Sequence, residues 1–330
     1  MPTDLTVADY QTILAFTTNL ARRAGEVILA GSQAIRNAPA SEINEKKNSV
    51  DLVTEYDVKV EELVKKEIAG KYPDFEFLGE ESYAAGSRPP LSDKPTFCVD
   101  PIDGTTNFIH GFPFVCISLG LIYKKKPVLG VIYNPFLDHL YTAITGQGAF
   151  VTEGINNQPL RLPLTIEPRP LASLSQGLLG IEWGADRSEE ILAKKSASFY
   201  RLAGNPEAGV KGGKMAHSLR SLGSAALNFT LVARGSLDVY WEIGCYPWDV
   251  CAGIVIAQEA GGLVTGSHQV FAATKDDASK FGEVGEEILW GRKYVVVRAI
   301  GPAPGESKVE AQKRIIGELY DSVDDAEPTK

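Results

Sequence analysis

Between residues 96 and 151 the chain runs through short β-rich stretches, joined from 116 onward by turns too brief to hold a helix, and this narrows its fold more than any other feature. The stretches are 96–99, 116–123, 127–133 and 139–144, with 148–151 as a further one. KKKP, NPFLD and TGQG separate the later stretches, and GINNQP follows the last. Such links join antiparallel neighbours, because a parallel return needs a crossover of about a dozen residues or more. Helical spacing precedes this meander. Ile13, Leu14, Leu20, Ala24, Val27 and Ile28 predict a helix from residue 6 to about 30. Val60, Leu63, Val64 and Ile68 predict a second over 56–68, stopped near Tyr72-Pro73-Asp74. SEINEKKNS between them reads as an exposed loop or hairpin. Helices first and an antiparallel sheet next predict an α+β layer.

The second half alternates. A strand is expected over 173–181 and a helix over 187–199, followed by a glycine-containing loop over 200–217. Then come a helix over 224–233, a strand over 236–241, an apolar helix over 248–259, a strand over 294–300 and a helix over 306–320. Residues 266–292 read as a polar, irregular insertion, and the acidic tail 321–330 as frayed.

Composition excludes several functions. With 33 basic and 42 acidic residues, the net charge of −9 disfavours nucleic acid as the main partner. No apolar run of about 18 residues exists to span a bilayer. The N-terminus lacks the basic and apolar regions of a secretory signal, so an intracellular, cytoplasmic protein is expected. Cys98, Cys116 and Cys251 lie in apolar runs and no C-x-x-C pair occurs, which predicts buried reduced thiols.

The chemistry concentrates in FCVDPIDGTTNF at 97–108. An apolar strand delivers Asp100 to its end, Pro101 fixes a bend, and Asp103-Gly104 completes a tight turn. Two carboxylates three residues apart can converge on one cation, with the Ile102 carbonyl as a third oxygen. Thr105 and Thr106 start the next helix, whose N–H groups suit an anion. Taken alone, GEES at 79–82 is ordinary surface, and Asp57 in DLVTEYD reads first as a helix N-cap. Asp249, in the first turn of an apolar helix, demands a partner if buried. LRSLGSAA at 219–226 forms a strand, a turn and a helix, with small residues where a ligand could approach the backbone. Nucleotide-loop, dinucleotide and serine-elbow motifs are absent.

GEES at 79–82, DPIDGTTNF at 100–108 and PWDVCAG at 247–253, in that order, resemble the inositol monophosphatase family of the lithium-sensitive phosphatase superfamily. DLVTEYD and LRSLGSAA fit the same pattern, so the resemblance covers about residues 6–265 and resumes at GRKYVVV. It implies an αβαβα layered sandwich, a homodimer, a need for Mg²⁺ and inhibition by Li⁺. By position, Glu80, Asp100, Asp103 and Asp249, with the Ile102 carbonyl, would hold the metal. Glu80 and Thr105 would orient the attacking water, Asp57 would hydrogen-bond Thr105, and the backbone at Ile102, Asp103, Gly104 and Thr105 would lie against the phosphate. Gly223, Ser224, Ala225, Glu242 and Asp249 would contact a small phosphorylated polyol. One catalytic domain of two packed lobes, about 1–165 and 166–320, is expected.

The chain departs from that pattern in its long 200–217 and 266–292 segments, and in Ala185, where many members carry a polar residue. The long segments are similar to those of fungal members, among them a phosphatase-like protein encoded with quinate-utilisation enzymes. Hydrolysis of myo-inositol 1-phosphate is the leading expectation. The rivals are a nucleotide or sugar bisphosphatase of the superfamily and an accessory or regulatory protein of quinate utilisation.

Overall fold

A computed structural model describes residues 4–37, 44–45, 52–87, 89–155 and 157–328. In its first part the chain forms α1 (Val7–Asn37), β1 (Asn44–Glu45), β2 (Leu52–Val53), α2 (Glu55–Lys71), β3 (Glu76–Gly79), α3 (Glu80–Ala84), β4 (Thr96–Asp103) and α4 (Thr105–His110). The meander is β5 (Cys116–Tyr123), β6 (Lys126–Asn134), β7 (His139–Ile144), β8 (Gly148–Glu153) and β9 (Leu160–Arg161). There follow β10 (Leu178–Ile181), α5 (Glu189–Ala203), β11 (Ser218–Arg220), α6 (Ala225–Arg234), β12 (Val239–Ile243) and α7 (Pro247–Glu259). The chain closes with β13 (Leu263–Thr265), α8 (His268–Thr274), α9 (Glu286–Gly291), β14 (Lys293–Val297) and α10 (Lys308–Tyr320). No described helix is long and apolar enough to cross a membrane.

The chain makes two compact units. Unit 1 comprises Met1–Arg161, Gly223–Leu227 and Pro247–Glu259; unit 2 comprises Leu162–Leu222, Asn228–Tyr246 and Ala260–Lys330. A single cut near residue 165 therefore misses two returns to unit 1. The apolar α7 explains one of them, since it packs on the sheet of unit 1.

That sheet has the order β3-β4-β5-β6-β7-β8-β9, antiparallel except for the parallel β3–β4 pair. Ile117, Leu119 and Leu121 join Ile13, Leu20, Val60 and Val64 of α1 and α2 in one core. The alternate residues face α7: the Ser118 hydroxyl donates to the Trp248 carbonyl at 3.2 Å. A Cβ at Gly120 would lie 2.5 Å from Cys251 Sγ, and one at Gly130 would overlap the Ala252 backbone. These two glycines let α7 sit directly on the strands, which is why a helix apolar on every side is buried here.

The sheet of unit 2 has the order β11-β10-β12-β14-β13, mixing parallel and antiparallel pairs. Leu179, Ile181, Trp241, Val295 and Val297 share its core with Ile191 and Leu202 of α5 and Ile315, Ile316 and Leu319 of α10.

Several sequence expectations change. Residues 173–181 are a 3-10 turn at Leu174–Gln176, closed by the Gly177 N–H on the Leu174 carbonyl at 2.9 Å, followed by a four-residue strand. α5 runs to Ala203 because Leu202 still faces the core. Residues 266–292 are irregular only in part: α8, capped by Ser267, and α9 bury Phe271, Ile288 and Leu289, whose sparse spacing hides the helical period, while 275–285 between them are turns. The tail is tied down as far as it is described. Asp325 and Glu327 pair with the Lys293 ammonium at 2.9 and 2.7 Å, Asp324 pairs with Arg201 at 2.8 Å, and Ala326 is buried. SEINEKKNS lies outside the described residues except for 44–45, which pair antiparallel with 52–53.

Candidate active site

β4 runs straight into the site. Asp100 is buried near its end, and its Oδ1 accepts the Ile102 N–H at 3.0 Å, closing the turn made by Pro101. Gly104, at φ 95°, caps α4; a Cβ there would also lie 2.9 Å from the Phe114 carbonyl, so the turn requires glycine. The Thr105 hydroxyl lies 3.1 Å from the Ile102 carbonyl oxygen and 3.2 Å from Asp57 Oδ1. Its one proton can serve either acceptor, which leaves the oxygen able to accept in turn.

Asp57 does two things. It is fully buried at the third position of α2, where its Oδ2 accepts the Thr54 N–H at 2.8 Å and the Thr54 hydroxyl at 2.6 Å. With Thr54 as the N-cap, this is a capping box. The cap and the contact to Thr105 use opposite oxygens of one carboxylate.

Oxygens of Glu80, Asp100 and Asp249 lie within 4.8 Å of one another. Glu80 opens α3, Asp100 ends the straight part of β4, and Asp249 stands in the first turn of α7. Burial drives the Asp100 carboxyl well above the usual carboxylate range, and the nearby charges of Glu80, Asp103 and Asp249 push it further.

Asp103 has donors of its own. Its Oδ2 accepts the Ser224 hydroxyl at 2.7 Å and the Ala226 N–H at 2.6 Å, while Oδ1 accepts the Ala225 N–H at 3.3 Å. Burial raises this carboxyl to about 7 against those donors, which favour its ionised form. Asp103 thus pins the start of α6 and the Gly223-Ser224-Ala225 turn beside β4. Glu242 belongs to unit 2, where it is buried on β12. Cys98 and Cys116 are buried free thiols that burial holds in the protonated form.

No sequence motif marks Glu61. One turn beyond Asp57 on α2, it accepts the Glu81 and Ser82 N–H groups, each at 2.7 Å, and the Ser82 hydroxyl at 2.5 Å. It thereby fixes the turn that presents Glu80. An acidic residue on the buried face of α2, four places after Asp57, was the available signal.

Residues 9–312 match the inositol monophosphatase family. The chain belongs to the inositol monophosphatase family. It is a phosphatase of the α+β layered-sandwich fold. Protein qutG of Emericella nidulans is similar, with 42% identity over 93% of this chain and 92% of that one. Quinic acid degradation cluster protein x of Neurospora crassa is 38% identical over 96% and 94% respectively. Among solved structures, inositol monophosphatase from Anabaena superposes with a TM-score of 0.67 at 26% identity, covering 96% of this chain and 98% of that one.

Proposed function

We propose that this phosphatase is Mg²⁺-dependent and hydrolyses a polyol phosphate monoester, myo-inositol 1-phosphate in the first instance, by direct attack of water without a covalent intermediate. The observation that carries the reading is the meeting of Glu80, Asp100 and Asp249 beside a Thr105 hydroxyl oriented by Asp57. Three crowded carboxylates, one of them buried and shifted by its neighbours' charge, suit a hard divalent cation that takes oxygen ligands. Glu80, Asp100 and Asp249 would hold it, with the Ile102 carbonyl and Asp103 as further oxygens. When bound, Mg²⁺ supplies Lewis acidity, lowering the pKa of water and offsetting charge on the phosphoryl and leaving oxygens.

The chain's own groups do the rest. Glu80 and Thr105 orient the attacking water, and Asp57 holds the Thr105 hydroxyl in place. The Gly104 and Thr105 N–H groups bind phosphoryl oxygens at the start of α4. On the family resemblance alone, Gly223, Ser224, Ala225, Asp249 and Glu242 are the residues that contact the polyol. By the same resemblance the enzyme is a Li⁺-sensitive, cytoplasmic homodimer.

Phosphate release from myo-inositol 1-phosphate with Mg²⁺, with and without Li⁺, tests this directly. Asp100→Asn should reduce turnover about a thousandfold or more while circular dichroism stays native. Wild-type-like turnover in that variant would sink the assignment. The full-length similarity to the quinic acid cluster protein favours a second reading, a role tied to quinate use. Growth of a deletion strain on quinate, compared with its need for inositol, separates the two.

A further inference from the structure

α5 buries a lysine on its apolar side. Lys195 lies among Ile191, Ser198 and Leu202 with its side chain 3% exposed, whereas its neighbour Lys194 reaches solvent and pairs with Glu190. A lysine in such a place must satisfy three donors without water. Two are met by the carbonyls of Glu182 and Trp183, each at 2.9 Å, where the chain leaves β10. The third direction leads to Glu242 Oε1 at 3.6 Å, and that side chain is 4% exposed. The turn wraps the ammonium closely, since a Cβ at Gly184 would lie 3.1 Å from Nζ.

Glu242 is held from other sides as well. The Ile243 N–H donates to its Oε1 at 2.7 Å, and the Tyr240 hydroxyl donates to Oε2 at 3.2 Å. A carboxylate offers about four acceptor positions, so these partners leave capacity for a donor from outside the protein. Glu182 nearby is engaged separately: it accepts from the Ser221 hydroxyl, the Leu222 N–H and the Asn228 amide at 2.7–2.9 Å. A buried ion pair adds little net stability over an apolar pair of similar size, so its main consequence is geometric.

We propose that Lys195 is a positioning residue for polyol recognition: anchored on the Glu182 and Trp183 carbonyls, it holds the Glu242 carboxylate as a fixed acceptor for substrate hydroxyls. The proposal rests on the reading that Glu242 contacts the polyol. It makes Lys195 a determinant of which phosphate esters are used, without touching the ester. The Lys195→Met enzyme should discriminate less between a polyhydroxylated substrate and a plain one.

The test compares myo-inositol 1-phosphate with 4-nitrophenyl phosphate, which has no hydroxyls to recognise. Lys195→Met should raise KM for the inositol ester roughly tenfold, with kcat within about twofold. Both constants for 4-nitrophenyl phosphate should stay within about twofold, and Lys195→Arg should recover most of the loss. Equal losses on both substrates, or no change on either, overturn the proposal. If Lys195→Met does not fold, the Lys195→Met/Glu242→Gln double variant replaces it. That variant should match the KM of Glu242→Gln alone, and a KM several-fold higher overturns the idea. Should Glu242→Gln keep the wild-type KM for the inositol ester, the polyol reading of Glu242 falls and this proposal with it. A raised KM in Glu242→Gln beside an unchanged one in Lys195→Met removes Lys195 alone.

Discussion

At the scale of single residues, the chain places carboxylates where water cannot solvate them and then gives each a different neighbour. Asp57 is answered by Thr54 and Thr105, Asp103 by the N-terminus of α6, and Glu61 by the turn before Tyr83. Glu242 is answered by a lysine, and that balance can be read as a pH dependence. Burial raises its carboxyl above the ordinary value of 4.5; Lys195 opposes this and Glu182 adds to it. The folded state therefore holds the proton more tightly than the unfolded chain does. Stability from this group is complete below pH 4.5 and is lost as the pH climbs through the folded value. Relative to Glu242→Gln, the wild type should lose stability as the pH rises above about 4.5. Urea midpoints of the two proteins from pH 4 to 7.5 measure this, and a constant difference contradicts it.

At the scale of elements, the site depends on how closely α7 approaches its sheet. Asp249 rides in the first turn of that helix, and the strands beneath it carry Gly120 and Gly130 where side chains would intervene. At Gly130 the added methyl would meet helix backbone, which cannot rotate aside. Gly130→Ala should therefore cost about 1–3 kcal/mol of stability, and it should weaken Mg²⁺ activation more than a distant variant of equal stability. Thermal melts and the Mg²⁺ dependence of phosphate release check both parts. Much of this element layout was legible beforehand. β5 and β7 begin and end where the residue pattern places them, because alternation and turn residues act within a few positions. The short helices of 266–292 were not legible, since each offers the core only one or two side chains.

For the molecule as a whole, the charge of −9 includes acids of the candidate site and acids that the fold pairs with cations. The C-terminal segment belongs to the second kind. Lys293, with a side chain only 5% exposed, takes both Asp325 and Glu327, and Arg201 takes Asp324 and the Ser322 carbonyl at 2.7 Å. Ending the chain after Asp321 should cost about 1–3 kcal/mol, because the two cations lose their partners. A frayed tail would cost nothing, so denaturant midpoints of the full and shortened chains decide the matter. What residue order alone determined was local: the meander, the long helices, the Asp100–Thr106 turn and the motifs that identify the family. Each follows from neighbours a few places apart. Tertiary structure alone decided that Asp103 takes the donors of the α6 start, that Glu61 takes the backbone of the turn after Glu80, that Lys195 lies against Glu242, and that residues 324–327 are tied to Arg201 and Lys293. Those outcomes depend on which buried polar groups meet across helix and sheet faces, and burial makes each of them find a partner that no single segment encodes.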